Sequence, residues 1–376
     1  MTDRASKKVL VTGASGYVAL HCVRQLLEDG YAVRGTVRSL NNQKKIAPLR
    51  SLKGAADRLE LVEADLERPD DWPQAIEGCV YILHVASPWP IVADEHTITV
   101  AVDGTMIVLR AASKCGGVKK VVMTSSCAAI NDGHKNDECV FDESCWTNLE
   151  NKHVENYARS KTLAERSAWN FWNSLNGRER FELTVINPTF VTGPVLSDQE
   201  HGSATVIGRM MNMRTYLASP KICLGVVDVR DVAVAHIRAL ERPETNGQRI
   251  LVTHTSPVWF GDMANWLHEE FSPRGYRISK IVTPTWLLKV YAKLNIDEQA
   301  KSVVHRVGPE LRFANQKSVE LLGMNYVAPK DSVVAMMHSM IKQRMVKPPA
   351  VGCRMIPRRS NEAEPEHKEE EPSVAA

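Results

Sequence analysis

The 376-residue chain lacks several features that would assign it to a specialised class of protein. Its formal net charge is only +3, and no basic stretch is interleaved with aromatic residues, so nucleic acid is not expected as a partner. No run of about 18 apolar residues occurs, which argues against a membrane-spanning helix. A short polar stretch leads directly into Val9-Leu10-Val11, without the apolar region of a secretory signal. We therefore expect a cytoplasmic protein.

Metal-binding patterns are also missing. The eight cysteines are scattered without a CxxC pair, and no cluster of histidine and cysteine has the spacing of a zinc site. We expect reduced thiols and no metal ion. With 44% hydrophobic and 24% charged residues, the chain has the composition of an ordinary globular protein with a sizeable core.

The first 190 residues alternate short β-branched runs with helical patterns. The candidate strands are 8–11, 32–37, 59–62, 80–85, 118–124 and 182–186. Helical patterns between them include 17–28, 98–113 and 156–174. Strands that alternate with helices predict an α/β fold with a doubly wound, parallel sheet of the Rossmann type, covered by helices on both faces.

The rest of the chain has a different character. A short strand is expected near 225–231, followed by a helix at 231–240, while 257–345 has mainly helical patterns, including an amphipathic one at 286–294 that we expect to pack on the protein. We divide the chain into a dinucleotide-binding domain at 1–190 and a small, mainly helical substrate lobe at 191–346 with returning elements of the core. Residues 347–376, with prolines and a run rich in glutamate, are expected to be a disordered acidic tail.

A glycine-rich turn at residues 11–19 follows the first strand and opens the first helix. Gly13 permits a tight turn, and Gly16 lets backbone N–H groups approach a pyrophosphate. The helix N-terminus directs free N–H groups and partial positive charge at the anion. Ala19 is small enough for close packing of helix on sheet. This context predicts a dinucleotide-binding turn, in which the cofactor contacts are Gly13, Ser15, Gly16, Tyr17 and Val18.

The second strand indicates which dinucleotide binds. Proteins that prefer NAD usually end this strand with an acid, whereas here the sequence is Arg34-Gly35-Thr36-Val37-Arg38-Ser39, with Lys44 and Lys45 after it. Arg38 and Lys45 are predicted to pair with a 2′-phosphate, which favours NADP(H); the alternative is that these are solvated surface charges. After the third strand, Asp65 and Leu66 are placed at the adenine ring, although Asp65 is also suited to capping a helix.

Tyr157 and Lys161 stand four residues apart near the start of a long helical pattern, and therefore on one face. A phenol has a pKa of about 10, and a nearby ammonium or oxidised nicotinamide would stabilise its ionised form. A tyrosine prepared in this way serves as general acid or base. Hydroxyls emerge at the end of the fifth strand, in Thr124-Ser125-Ser126, where one of them would orient a substrate carbonyl. We select Ser126, with Ser125 as the reserve.

Together these motifs resemble the extended short-chain dehydrogenase/reductase family. His84-Val85-Ala86-Ser87-Pro88, Thr124-Ser125-Ser126, Asn187-Pro188-Thr189 and Gly193-Pro194 are similar to its dihydroflavonol reductase and cinnamoyl-CoA reductase branch. The resemblance implies a catalytic set of Ser126, Tyr157 and Lys161, in which Lys161 holds the nicotinamide ribose and lowers the pKa of Tyr157. It also implies cofactor contacts from Ala86, Ser87, Pro188 and Val191, and a substrate contact from Asn131 beside Ser126 and Tyr157.

The expected activity is therefore NADPH-dependent reduction of a small-molecule aldehyde or ketone. We expect the protein to be a monomer or a homodimer. A 3β-hydroxysteroid dehydrogenase is the enzymatic alternative, and a dinucleotide-binding sensor without turnover is the alternative from another class. A sugar epimerase is disfavoured by Arg38. Outside the site, Asp228 and Asp231 are expected to cap the following helix and pair with Arg230. Met210, Met211 and Met213 either line a pocket or fill the core.

Overall fold

The computed structural model describes residues 4–88, 93–134, 139–199, 201–214, 216–293 and 306–349. Its strands, numbered β1 to β13, are Lys8–Val11, Ala32–Val37, Leu59–Glu63, Tyr81–His84, Lys120–Thr124, Val140–Phe141, Glu182–Pro188, Phe190–Thr192, Cys223–Leu224, Val226–Asp228, Gln248–Val252, Val258–Trp259 and Arg312–Phe313. Its α-helices, numbered α1 to α12, are Tyr17–Glu28, Gln43–Arg50, Ala55–Arg58, Asp71–Ile76, Glu95–Cys115, Asn156–Ser174, Gly202–Met210, Val229–Glu241, Phe260–Phe271, Thr285–Lys293, Gln316–Leu322 and Pro329–Lys342. Short 3₁₀ turns connect some of them.

Seven strands form one parallel sheet in the order β11-β7-β5-β4-β1-β2-β3. From β1 the chain builds outward through β2 and β3, then returns to the other side of β1 and builds outward again from β4. This reversal between β1 and β4 leaves a crevice at the carboxyl ends of the strands, where ligands of such sheets bind. The predicted doubly wound Rossmann fold is confirmed.

The sheet separates two buried layers because successive side chains of a strand point to opposite faces. In β1, Val9 and Val11 pack into the layer that contains α1 and α8, whereas Leu10 packs into the layer that contains α5 and α6. Both layers are built mainly from buried aliphatic residues, with a few buried aromatic side chains such as Tyr31 and Trp72. A rigid sheet therefore fixes the loops at its carboxyl edge.

The helices α1 and α6 have the predicted bounds, but α5 begins three residues earlier than predicted. Asp94 caps this helix by accepting from the Thr97 backbone at 2.8 Å, and the Thr97 hydroxyl accepts from the Asp94 backbone. Strand β11 was not among the predicted strands. It pairs in parallel with β7 at the edge of the sheet, so the chain returns to the core after residue 190.

Helices α7, α9 and α12 pack around a third apolar cluster beside the sheet. The predicted helix at 286–294 is present as α10, but Trp286 is 66% exposed and Val290 44% exposed, so these two side chains do not pack on the protein as predicted. In the described part of the chain, no helix has the length and apolarity needed to cross a membrane. The predicted acidic tail lies, beyond residue 349, outside the described residues.

Candidate active site

Thr12 joins the ends of β1 and β4 at the crevice. Its buried hydroxyl accepts backbone N–H bonds from Val85 at 3.0 Å and Ala86 at 2.9 Å, and lies 3.1 Å from Nδ1 of His84. Burial lowers the pKa of His84 to about 3, so this imidazole is neutral. Because the Thr12 oxygen already accepts two N–H bonds, its hydroxyl donates to Nδ1 of His84. The segment after β4 is thereby fixed against the turn after β1.

The turn after β1 packs closely against the segment after β4 and presents backbone N–H groups at the start of α1. Gly13 has a φ of +61°, and a Cβ atom there would lie 3.0 Å from the Cβ atom of Ala86. Gly16 stands at the N-cap of α1 without a side chain to cap it, so the first N–H groups of the helix are available to an anion. Ser15 and Val18 line the same cleft. This turn fits the phosphates of a dinucleotide.

Tyr17 was predicted as a cofactor contact, and its side chain is engaged with the protein. Its hydroxyl donates to the Gly193 carbonyl at 2.8 Å, and its ring stacks on His201 with 3.8 Å between ring centres. Tyr17 also lines the cleft. A contact with the phosphates would therefore come from its backbone N–H at the start of α1.

The cations after β2 have different surroundings. Arg38 is exposed and lines the cleft together with Lys45, and neither side chain has an ion-pair or hydrogen-bond partner among the described residues. Arg34, in contrast, is bound to Glu60 at 2.9 Å and to backbone carbonyls, and Lys44 pairs with Asp198 at 3.2 Å. Of these four cations, Arg38 and Lys45 line the cleft, whereas Arg34 and Lys44 do not.

Asp65 and Leu66 line the cleft beyond β3, on the side predicted for adenine. Asp65 does not cap a helix, because α4 begins later with Asp70 at its N-cap. Instead its carboxylate accepts from the Glu67 backbone at 3.1 Å within a local turn. This hydrogen bond holds one carboxylate oxygen of Asp65 in place, and the residue still lines the cleft.

Tyr157 lies in the first turn of α6 and faces the same cleft. Burial raises its pKa to about 12, and hydrogen bonding from Ser126 acts in the opposite direction. The prediction of a lowered pKa is therefore wrong for the protein alone, because sequence spacing does not reveal desolvation. Tyr157 is a protonated phenol near neutrality.

Lys161 lies one turn further along α6, with its ammonium 6.0 Å from the centre of the Tyr157 ring. It is only 8% exposed, and burial lowers its pKa to about 8, while the charge of Glu165 raises it. The described residues provide no hydrogen-bond acceptor for this ammonium, so its donors are available to a ligand in the cleft.

The two serines after β5 point to different partners. Ser126 lines the cleft beside Tyr157, and its hydroxyl accepts from the Ala128 backbone at 3.1 Å. Ser125 donates to the buried carboxylate of Glu165 at 2.6 Å. The serine selected from the sequence is thus the one beside the tyrosine. Glu165 was not singled out, although it stands four residues after Lys161 on the same face of α6.

The cleft is continuous from the glycine turn to the substrate end, with a volume of about 2110 Å³. The remaining predicted cofactor and substrate contacts all lie on its wall, and these are Ala86, Ser87, Asn131, Pro188 and Val191. At the substrate end, Arg306 donates to Asp132 at 3.0 Å and lies 3.6 Å from Glu155. Sequence reasoning missed this ion cluster because its members are distant in the chain.

Several other candidates lie elsewhere. Asp228 caps α8 and binds Arg230 through both carboxylate oxygens at 2.8 Å, whereas Asp231 accepts from the Val327 backbone at 2.9 Å and does not pair with Arg230 as predicted. Met210 and Met211 are buried in the core, and Met213 is 47% exposed. Among the described residues, no group of three or more His, Cys, Asp or Glu side chains is arranged to hold a metal ion.

Comparison with known proteins places this site in context. The sequence profile of the NAD dependent epimerase/dehydratase family matches residues 9–252. The chain is 34% identical to cinnamoyl-CoA reductase 1 of Arabidopsis thaliana over 337 residues, which cover 88% of each protein. It is 38% identical to tetraketide alpha-pyrone reductase 1 of the same plant over 254 residues, which cover 66% of this chain and 77% of the relative.

Among solved structures, the chain is similar to yeast methylglyoxal/isovaleraldehyde reductase Gre2 complexed with NADPH. The TM-score is 0.73 at 27% sequence identity, and the match covers 90% of this chain and 99% of Gre2. Sequence and fold comparisons therefore identify reductases that span most of the described residues.

Proposed function

The chain belongs to the NAD dependent epimerase/dehydratase family, and within it we propose an NADPH-dependent reductase of aldehydes or ketones with Tyr157 as general acid. The relatives confirm the predicted resemblance to the cinnamoyl-CoA and dihydroflavonol reductase branch. An oxidoreductase that uses NADP(H) follows from the same relatives and from Gre2, which was solved with NADPH. A cytoplasmic location, a monomeric or homodimeric state and the division at residue 190 remain predictions.

The residues of the cleft fit NADP(H). The turn at Gly13 and Gly16 would hold the pyrophosphate, and Arg38 with Lys45 would hold the 2′-phosphate, since both cations lack a partner among the described residues. When bound, NADPH supplies a hydride to the substrate carbonyl carbon. Lys161 would donate hydrogen bonds to the hydroxyls of the nicotinamide ribose.

Reduction of a carbonyl also requires a proton at the oxygen, and Tyr157 is suited to supply it. Ser126 would hold the carbonyl oxygen by hydrogen bonding, beside the tyrosine. Because burial raises the pKa of Tyr157 to about 12, the phenol is protonated near neutral pH, which is the form that donates. The convergence of Ser126, Tyr157 and Lys161 on the cleft that contains the glycine turn carries this proposal.

The family includes epimerases, but an unpartnered cation at Arg38 favours the phosphorylated cofactor over the NAD that an epimerase retains. A 3β-hydroxysteroid dehydrogenase, whose substrates would be steroids, is the alternative enzyme. A sensor without turnover is disfavoured because the described site contains the tyrosine, lysine and serine needed for chemistry.

The test is a screen of the purified protein for NADPH oxidation with aldehydes, diketones, cinnamoyl-CoA thioesters, dihydroflavonols and ketosteroids. Tyr157→Phe is run in parallel, and we expect its kcat to be lower by roughly 10²- to 10⁴-fold while NADPH still binds. Equal activity of the two proteins would contradict the role of Tyr157. Absence of turnover with every carbonyl, despite NADPH binding, would contradict the reductase and favour the sensor.

A further inference from the structure

A carboxylate lies directly behind the serine, tyrosine and lysine of the site. Glu165 has no exposed surface and accepts four hydrogen bonds. Ser125 and Asn187 donate to Oε2 at 2.6 and 2.8 Å, and Arg249 and Trp169 donate to Oε1 at 2.5 and 3.3 Å. These donors come from three neighbouring strands of the sheet or their ends and from α6 itself.

The bonds of Glu165 connect the parts of the site that must act together. Asn187, at the end of β7, donates both to Glu165 and to the backbone carbonyl of Ser126 at 3.2 Å. Glu165 lies on α6, one turn after Lys161 and two turns after Tyr157. The carboxylate is therefore bonded on one side to the segment that carries Ser126, and it belongs to the helix that carries the other two residues.

We propose that Glu165 is a positioning residue of the reductase: it ties the strand end with Ser126 to the helix with Tyr157 and Lys161, and it places a negative charge one turn from Lys161. This inference rests on the proposed function. Fold stability alone does not require such a group, because a buried ion pair is often no more stabilising than apolar residues of similar volume. Arg249, which neutralises Glu165, lies on the side away from the cleft and does not line it.

The negative charge of Glu165 affects the protonation of Lys161. Burial lowers the pKa of this ammonium to about 8, and Glu165 raises it. The other titratable groups near the ammonium are His84 at the end of β4, which is neutral because burial lowers its pKa to about 3, and Tyr157, which is a neutral phenol. Cys127, after β5, interacts with Tyr157 and is a neutral thiol because burial raises its pKa. Removing Glu165 therefore removes the negative charge next to Lys161.

The test compares pH profiles of kcat/KM for NADPH-dependent reduction. In Glu165→Gln, Lys161 should lose its proton at lower pH, so the alkaline limb should move down by roughly one pH unit and activity at pH 7.5 should fall roughly threefold from this shift alone. A single variant removes the carboxylate that balances the buried charge of Arg249, which keeps its bonds to the Glu143 and Cys145 carbonyls, and is expected to be less stable. The double variant Glu165→Gln/Arg249→Met removes both charges, should fold, and should keep the shifted limb.

Two further variants separate positioning from stability. Ser125→Ala leaves the ion pair intact but removes the direct bond between the strand end and Glu165, while the bonds of Asn187 remain, and we expect kcat to fall roughly 5- to 20-fold without a shift of the limb. Lys120→Met removes a buried charge at the opposite end of β5, where Lys120 binds Glu182 and the Arg242 carbonyl, and should lower stability without altering the pH profile.

An unshifted limb in the folded double variant, or wild-type kcat in Ser125→Ala, would overturn the positioning role. If the double variant does not fold, the result for Ser125→Ala decides. Wild-type protein that reduces no carbonyl would instead overturn the proposed function, which is a separate result.

Discussion

The ammonium of Lys161 lies 6.0 Å from the centre of the Tyr157 ring, on the cleft side of α6. In the part of the chain that the structure describes, no hydrogen bond joins this ammonium to the phenol, so its direct hydrogen bonds are available to a ligand. The two residues can therefore divide the work, with the phenol at the substrate and the ammonium at the cofactor ribose.

The first prediction concerns pH. Because the pKa of Lys161 is lowered to about 8, the ammonium loses its proton as the pH rises through this value, and kcat/KM for reduction should fall above pH 8. Lys161→Arg retains a charge at all these pH values. Its activity is expected to be lower because of the larger head group, but without an alkaline limb between about pH 7 and 10. A limb that persists in the arginine variant would assign the titration to another group.

The second prediction concerns the cofactor phosphate. Replacing Arg38 with alanine removes a charge-assisted pair, so the Kd of NADPH should rise by roughly 30- to 150-fold while that of NADH changes little. Fluorescence titration with both cofactors measures this ratio. Arg34→Ala is the matched control, because Arg34 is bound to Glu60 and backbone carbonyls.

In the control, stability should fall while the ratio of the two dissociation constants stays unchanged. If Arg38→Ala weakened NADPH and NADH equally, Arg38 would not bind the 2′-phosphate. The same loss of discrimination in both variants would point to a general effect of positive charge near the cleft.

Local sequence patterns predicted the first half of the fold closely. The bounds of α1 and α6 were predicted correctly because an apolar stripe of helical period covers the whole of each helix. The edge strand β11 was missed because nothing in its five residues indicates that the chain returns to the sheet beside β7. Such a return is a property of the tertiary arrangement rather than of the local pattern.

The parts of the site that consist of local sequence motifs were predictable. The parts that depend on contacts between residues distant in the chain were not. The glycine turn and the spacing of Tyr157 and Lys161 are read directly from the sequence. The pair of Asp132 and Arg306 joins residues 174 positions apart, and no spacing rule connects them. The direction of the Tyr157 pKa shift was missed for a related reason, since burial depends on what packs around the ring.

The third prediction concerns Thr12, whose hydroxyl holds two backbone N–H groups after β4. Thr12→Val has nearly the same shape but leaves both donors without an acceptor, so the free energy of unfolding should fall by about 2 kcal/mol and NADPH should bind more weakly. Thr12→Ser keeps the hydroxyl and should retain NADPH affinity. Urea denaturation and NADPH titration of both variants measure these effects. Equal NADPH affinity in valine and serine variants would show that the hydroxyl does not organise the turn.

The fourth prediction concerns Asp231, whose pKa burial raises from 3.8 to about 6. A carboxyl whose pKa is higher in the folded state than in the unfolded state favours folding below the unfolded value, and this contribution is lost as the pH rises through the folded value. Wild-type protein should therefore lose about 2–3 kcal/mol of this contribution between pH 4 and pH 7.

Asp231→Asn cannot ionise, yet its side-chain oxygen can still accept from the Val327 backbone, which lies 2.9 Å from the native carboxylate. We expect the variant to become the more stable protein relative to wild type as the pH rises through this window, because only the native side chain must be ionised in a buried position. Urea denaturation at pH 4, 5, 6 and 7 measures the difference. Parallel curves for the two proteins would mean that the Asp231 carboxylate is as well solvated in the folded chain as in the unfolded one.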